Sequence, residues 1–190
     1  MAKSRRSTQL VADRSRRSIR FLLSNPWRGA WVLVFVLLVG FAGNYAIQYS
    51  QAANIEDEAK SKCGAYGIKA SVGTARCIAF RVLAPYHGWG SDPGPDLSPL
   101  SANDKALDSL YFRESSWRWS ATNPSSGAYG IPQSLPPSKM SEANGTPCVH
   151  ETYWTNATCQ MKWGLNYIKN RPGYGNPINA WNHETNFGWY

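Results

Sequence analysis

Hydrophobic positions change pattern three times along this chain. Residues 1–28 are rich in Arg and Ser, show only a faint helical period, and read as a solvated tail. Residues 30–43, AWVLVFVLLVGFAG, carry no strongly polar side chain, and no charge falls between Arg28 and Glu56. Continued through Ile47 this run approaches the ~20 residues an α-helix needs to cross a bilayer. Pro26 suits a helix start, and Trp27, Trp31 and Tyr45 stand where interfacial aromatics belong. The pattern predicts a single transmembrane helix over 29–49.

Beyond residue 50 the pattern breaks into short pieces. IEDEAKSKC (55–63) predicts a short helix. Gly64 to Pro85 contains β-like pieces such as CIAFRVLA, and HGWGSDPGPDLSPL (87–100) is a Gly/Pro-dense loop. Residues 50–100 therefore read as an extracytoplasmic linker, a small Cys-containing β unit, or an N-terminal arm of the domain that follows. That domain covers 101–190. Ser101 with Asp104 three residues on is a helix start, and Leu107, Leu110 and Tyr111 carry the helical period to Glu114. NPSSGAYG (123–130) is a loop, a turn-rich stretch runs from Pro136 to Thr155, and TNATCQMKWGLNYIKN (155–170) is a second helix. RPGYGNP ends it, and INAWNHET begins a last short helix or turn. The fold class expected is mainly α.

Charge sharpens this division. The net charge is +8, which in bulk suggests a nucleic-acid partner. Residues 1–29, however, hold eight Lys/Arg against one Asp, whereas residues 50–190 hold twelve against eleven Asp/Glu. The folded part is nearly neutral, and no stacking platform accompanies the basic tail, so no nucleic-acid partner is expected. A basic flank before an apolar span places the N-terminus in the cytoplasm and everything after residue 50 outside. Two alternatives are a signal peptide cleaved near Ala53, whose basic leader would be unusually long, and a buried core helix.

Export also bears on the cysteines. Cys63, Cys77, Cys148 and Cys159 form an even set downstream of the apolar run, as disulfides in an oxidising compartment do. Three pairings are open. The short turn-rich loop between Cys148 and Cys159 favours a local bond there, which leaves Cys63 with Cys77. A metal site from Cys148, His150, Cys159 and His183 is the alternative, although C-x-H is not a usual zinc spacing.

Acids are scarce from residue 101 onward: Asp104, Asp108, Glu114, Glu142, Glu151 and Glu184. Glu114 alone is flanked on both sides by aromatics, Tyr111 and Phe112 before it, Trp117 and Trp119 after. A carboxyl in such surroundings is poorly solvated and its pKa rises, which makes a general acid usable near neutrality. The plainer reading is a helix-end Glu paired with Arg113 or Arg118.

The neighbouring residues favour the acid. RESSWRWSATNPSSGAYGIPQSLP (113–136) resembles the catalytic core of the bacterial lytic transglycosylases, which have a lysozyme-like fold in the α+β superfamily. Glu114-Ser115 stands at that family's Glu-Ser motif, Gly130-Ile131-Pro132-Gln133 at its Gly-Leu-Met-Gln, and Ala180-Trp181-Asn182 at its Ala-Tyr-Asn. Three motifs in order cover residues 101–190, and the branch resembled most is that of actinobacterial surface and secreted proteins. Pro132 and Trp181 depart from the family pattern. Trp181 cannot copy a Tyr hydroxyl as an acceptor, but it stacks and donates one N–H.

The resemblance implies cleavage of the MurNAc–GlcNAc β-1,4 bond of peptidoglycan strands, with Glu114 acting first as acid and then as base. It implies Ser115, Tyr129, Gln133, Trp181 and Asn182 as substrate-binding residues, and neither cofactor nor metal. Trp117, Trp163 and Trp189 read as core, and Gly127 and Gly130 as backbone turns. An inverting hydrolase would need a second carboxylate, for which Glu184 is the one candidate. A glycan-binding module without turnover is the remaining alternative.

Overall fold

Ser71 shows how the region before the main domain is organised. Its hydroxyl accepts the Thr74 N–H at 3.1 Å and starts a helix. In the computed structural model, which describes residues 54–141 and 152–190 together with Gly40 and Gly43, the described residues are mainly helical. Residues 54–63 form α1. Helix α2, Val72–Ile78, widens into a π-helical turn over Ala79–Leu83 and runs on as α3, Ala84–Tyr86. The β-like reading of CIAFRVLA is thus corrected. The side chains of Ile78, Ala79, Phe80, Val82 and Leu83 are all buried, and packing overrides the strand preference of such a run.

Helix α4, Ala102–Ser115, begins with a complete capping box. The Ser101 hydroxyl accepts from Asp104 N, and the Asp104 carboxylate accepts from Ser101 N. Helix α5, Ala157–Asn170, is capped by Asn156, whose side chain accepts the Cys159 N–H. The glycosylation-like Asn156-Ala-Thr is therefore a helix start. Helix α6, Pro177–Phe187, is capped by Asn176 with Pro177 in its first turn, and ends at Gly188, where φ is 77°. Pairing between extended segments is confined, among the described residues, to isolated bridges: Ile68 with Asn156, Thr122 with Tyr129, and Tyr129 with Ser134.

Residues Gln48–Tyr190 make one unit, and Met1–Ile47 another. In the larger unit Ile55, Ala59, Ile78, Phe80 and Leu83 share a single core with Leu107, Leu110, Tyr111, Met161, Leu165 and Ile168. Residues 54–100 thus supply one side of the core on which α4 rests. The Cys63–Cys77 disulfide ties α1 to α2. The loop at 87–100 is held down by Arg81–Asp92 and Lys62–Asp92 ion pairs and by the Trp89 carbonyl, which accepts from Ser101 and Asn103 side chains. No helix among the described residues is long and apolar enough to cross a membrane, and the expected span over 29–49 lies outside them except for Gly40 and Gly43, both helical.

Candidate active site

The end of α4 carries Glu114, and its local chemistry explains how that end is held. The helix closes with Ser116 N–H donating to Phe112 O at 2.8 Å and Trp117 N–H reaching back to Tyr111 O at 3.2 Å. This closure usually uses glycine, but here Ser116 and Trp117 both take positive φ, 52° and 62°. A bulky residue in that region is strained and needs compensation. Trp117 has it. The side chain is 1% exposed, its Nε1 donates to Asp108 Oδ1 at 2.9 Å, and its ring meets Phe80 and Tyr111 edge-on.

Glu114 is half-buried on the face of α4 opposite Phe112. Burial pushes its carboxyl up to about 7, with the nearby Glu184 carboxylate adding to the rise and Arg113 opposing it. Its place in the last turn, at the negative end of the helix dipole, acts in the same direction as the burial. Glu184, 3% exposed on α6, binds Arg113 at 2.9 Å and joins α6 to α4. Glu184 Oε2 and the Tyr111 hydroxyl are both buried without a well-formed hydrogen bond. Tyr190 packs on the Tyr111 ring, donates to the Pro132 carbonyl at 2.9 Å, and has its phenol raised by burial and by the nearby Tyr111 and Glu114. Tyr111 lies one turn before Glu114 on the same face, so Tyr190 flanks the carboxyl.

The loop after α4 is positioned as tightly. The Ser115 hydroxyl, buried, lies 3.2 Å from Tyr111 O and 3.0 Å from Ile131 O, so it staples the helix end to the Gly130–Gln133 turn. Gln133 takes φ 48°, and its Nε2 donates to Gly130 O and Ala121 O at 2.9 and 3.3 Å. Tyr129 donates its hydroxyl to Trp154 O at 2.7 Å, with its ring edge-on to Trp154. Gly127 and Gly130 have φ of 81° and 78°, as their turns require. Gly130 has a second reason to be glycine, because a Cβ there would lie 2.6 Å from the Gln160 side chain. Trp181 is half-buried against the core, and Asn182 is exposed.

The structure thus brings Glu114, Ser115 and the turn carrying Gln133 together through Ser115 and Ile131. Sequence reading missed Gln160, fully buried in α5, which accepts from Ile131 N and donates to Trp119 O and Tyr153 O. It also missed Tyr190. Among the expected core tryptophans, Trp117 is core and Trp163 is half-buried, stacked on Tyr167. Trp189 is a correction: it is 50% exposed, because its ring lies against Arg171 and His183 at the surface.

Cys159 is disulfide-bonded, which removes its thiolate from the metal alternative; Cys148 and His150 lie outside the described residues. An open groove of about 420 Å³ lies between α2 and α4, lined by Val72, Arg76, Asp108 and Phe112. It occupies the far side of α4 from Glu114 and is not part of this site. No family model, curated protein or solved structure matches the chain.

Proposed function

We propose that this chain cleaves the MurNAc–GlcNAc β-1,4 bond of peptidoglycan by lytic transglycosylation, on a lysozyme-like domain, with Glu114 as the one acid–base group. The observation that carries the reading is the Glu114 carboxyl itself. Its pKa of about 7 leaves a substantial protonated fraction at neutral pH and makes the deprotonated form an effective base. In the first step Glu114 gives its proton to the glycosidic oxygen, the C1–O bond breaks, and an oxocarbenium-like centre develops on the MurNAc. In the second, Glu114 takes the proton of that sugar's own C6 hydroxyl as its oxygen bonds to C1. The product carries a 1,6-anhydro ring, Glu114 ends protonated as it began, and no water is consumed.

The second carboxylate argues against hydrolysis. An inverting hydrolase requires a free base to activate water. Glu184 is buried and committed to Arg113. Its role in this reading is to keep Glu114 protonated by its charge. Ser115 and Gln160 hold the turn that presents Gln133, and Asn182 and Trp181 are offered to the sugar from α6.

The basic tail and the apolar run support anchoring through residues 29–49 with the domain outside the cell membrane. Protease added to intact spheroplasts then degrades residues 50–190, and protection of that domain overturns the topology. Mass spectrometry of muropeptides released from purified sacculi tests the chemistry. Ends with a 1,6-anhydro ring support transglycosylation, reducing ends mean hydrolysis, and binding without release means a wall-binding module.

A further inference from the structure

Arg171 follows α5 directly, and its guanidinium is surrounded by aromatic rings. Its Cζ lies 5.2 Å from the Tyr167 ring centroid, 5.1 Å from Tyr174 and 4.9 Å from Trp189. One of its N–H groups donates to the Tyr167 hydroxyl. Among the described residues it has no carboxylate partner, in contrast to Arg76, Arg81 and Arg113, each of which has one. A guanidinium held by ring faces keeps a fixed plane while part of its donor fork stays open. The rings make an extended surface. Trp163 stacks on Tyr167, Tyr167 meets Tyr190 edge-on, and Tyr190 packs on Tyr111, one turn from Glu114. Trp189 is half-exposed at the outer end, next to Phe187, which is 65% exposed.

An exposed indole offers a flat apolar face, which suits the axial C–H face of a pyranose. A pre-oriented guanidinium beside it, without a carboxylate partner among the described residues, suits a carboxylate, which it takes up by two parallel hydrogen bonds. A neutral sugar needs only the first, and a free acidic peptide needs only the second.

We propose that Arg171 and Trp189 form a binding subsite for a sugar that bears a carboxylate, linked toward Glu114 through the rings of Tyr167, Tyr190 and Tyr111. The inference rests on the transglycosylase reading, where it names the part of the strand the enzyme recognises: the MurNAc unit through its acidic substituent. Two sources supply that carboxylate, the lactyl group itself or the stem peptide attached to it.

The test uses the full chain in detergent and three glycan substrates: strands bearing stem peptides, strands stripped of peptide so that the lactyl carboxylate is free, and strands whose carboxyls have been converted to neutral amides. Wild type is expected to show a KM at least tenfold higher on amidated strands, with kcat within about twofold. Arg171→Gln should show that raised KM on all three, and Arg171→Lys, which keeps the charge and loses the fork, should recover part of the difference. Trp189→Ala should raise KM on every substrate. A preference for peptide-bearing over stripped strands assigns the contact to the stem peptide. A preference for stripped strands assigns it to the lactyl carboxylate, which is tied up as an amide when the peptide is attached; equal KM on the two means that either carboxylate is accepted. If wild type releases no products from any strand, the activity reading fails separately, and calorimetric binding of the same strands then decides the subsite. Equal KM, or equal affinity, of wild type and Arg171→Gln on charged strands overturns the proposal.

Discussion

The Gln160 side-chain oxygen accepts the Ile131 N–H at 2.9 Å, while its nitrogen donates to Trp119 O and Tyr153 O at 2.9 and 2.7 Å. One fully buried amide on α5 thus fixes both ends of the loop that follows Glu114. Gln160→Met keeps the volume and removes all three bonds. A buried group left unsatisfied costs about 1–3 kcal/mol, so the variant should lose about 3 kcal/mol or more. Urea denaturation measures this. Activity should fall as well, because the Gly130–Gln133 turn loses its anchor. Unchanged stability would mean that the amide is not the fastener.

Glu114→Gln removes the proton donor and keeps the shape. Loss of a positioned general acid should lower the rate by about 10²–10⁴-fold or more. Digestion of purified sacculi checks it, with circular dichroism as the folding control. Equal clearing by both proteins would place the acid elsewhere.

The parts of this fold that were legible in sequence are those decided within one or two turns of chain. Ser101 with Asp104 announces a helix start through bonds three residues long, whereas the Asn176 cap and Pro177 of α6 were read as the end of the preceding segment. CIAFRVLA was not legible, because an apolar run broken only by Arg81 shows no clear period. At the site, Glu114 stood out through its aromatic neighbours. The bond from Ser115 to the Ile131 carbonyl was not legible, because that partner lies sixteen residues away in the chain. Tyr190 meets Pro132 across 58 residues, a contact that no local pattern encodes.

Glu114 and His87 give opposing pH dependences. Glu114 is raised from 4.5 to about 7, so the folded state binds the extra proton, and stability falls as pH rises through that window. Glu184, also raised by burial, adds in the same direction. His87 is half-buried and stacked on Trp89, and burial of its ring, with Lys169 nearby, lowers it from 6.5 to about 4. The unfolded state then binds the extra proton, and stability falls as pH drops from about 6.5 to 4. In wild type the two slopes partly cancel. Glu114→Gln should leave a melting temperature that climbs more steeply between pH 4 and 6.5, and His87→Phe one that declines between pH 4.5 and 7. Thermal melts across that range distinguish the two, and parallel curves for all three proteins would refute the assignment.

Tyr190→Phe removes one hydroxyl and keeps the ring between Tyr111 and Tyr167. The Pro132 carbonyl loses its donor, at a cost of about 1 kcal/mol. Because Tyr190 flanks Glu114, the larger effect should be on kcat, a drop of about tenfold, together with a shifted alkaline limb in the pH profile. A stability loss with an unchanged profile would make Tyr190 a purely structural residue.

The Cys63–Cys77 disulfide closes a loop with a sequence separation of 14 and joins α1 to α2 beneath the core that supports α4. In the chain-entropy account, closing a loop of that size is worth about 3 kcal/mol. The Cys63→Ser/Cys77→Ser double variant should therefore lose about that much stability. The loss should appear first around α1 and α2, as faster amide exchange at Ala59 and Ala75, while α6 is less affected. Hydrogen exchange resolves the regions. Non-reducing peptide mapping checks the pairing in the same sample, and it also tests the expected Cys148–Cys159 bond. A peptide joining Cys63 or Cys77 to a later cysteine would overturn the local connectivity. Uniform loosening across α1 to α6 would mean that the bond stabilises the unit as a whole and not the α1–α2 support.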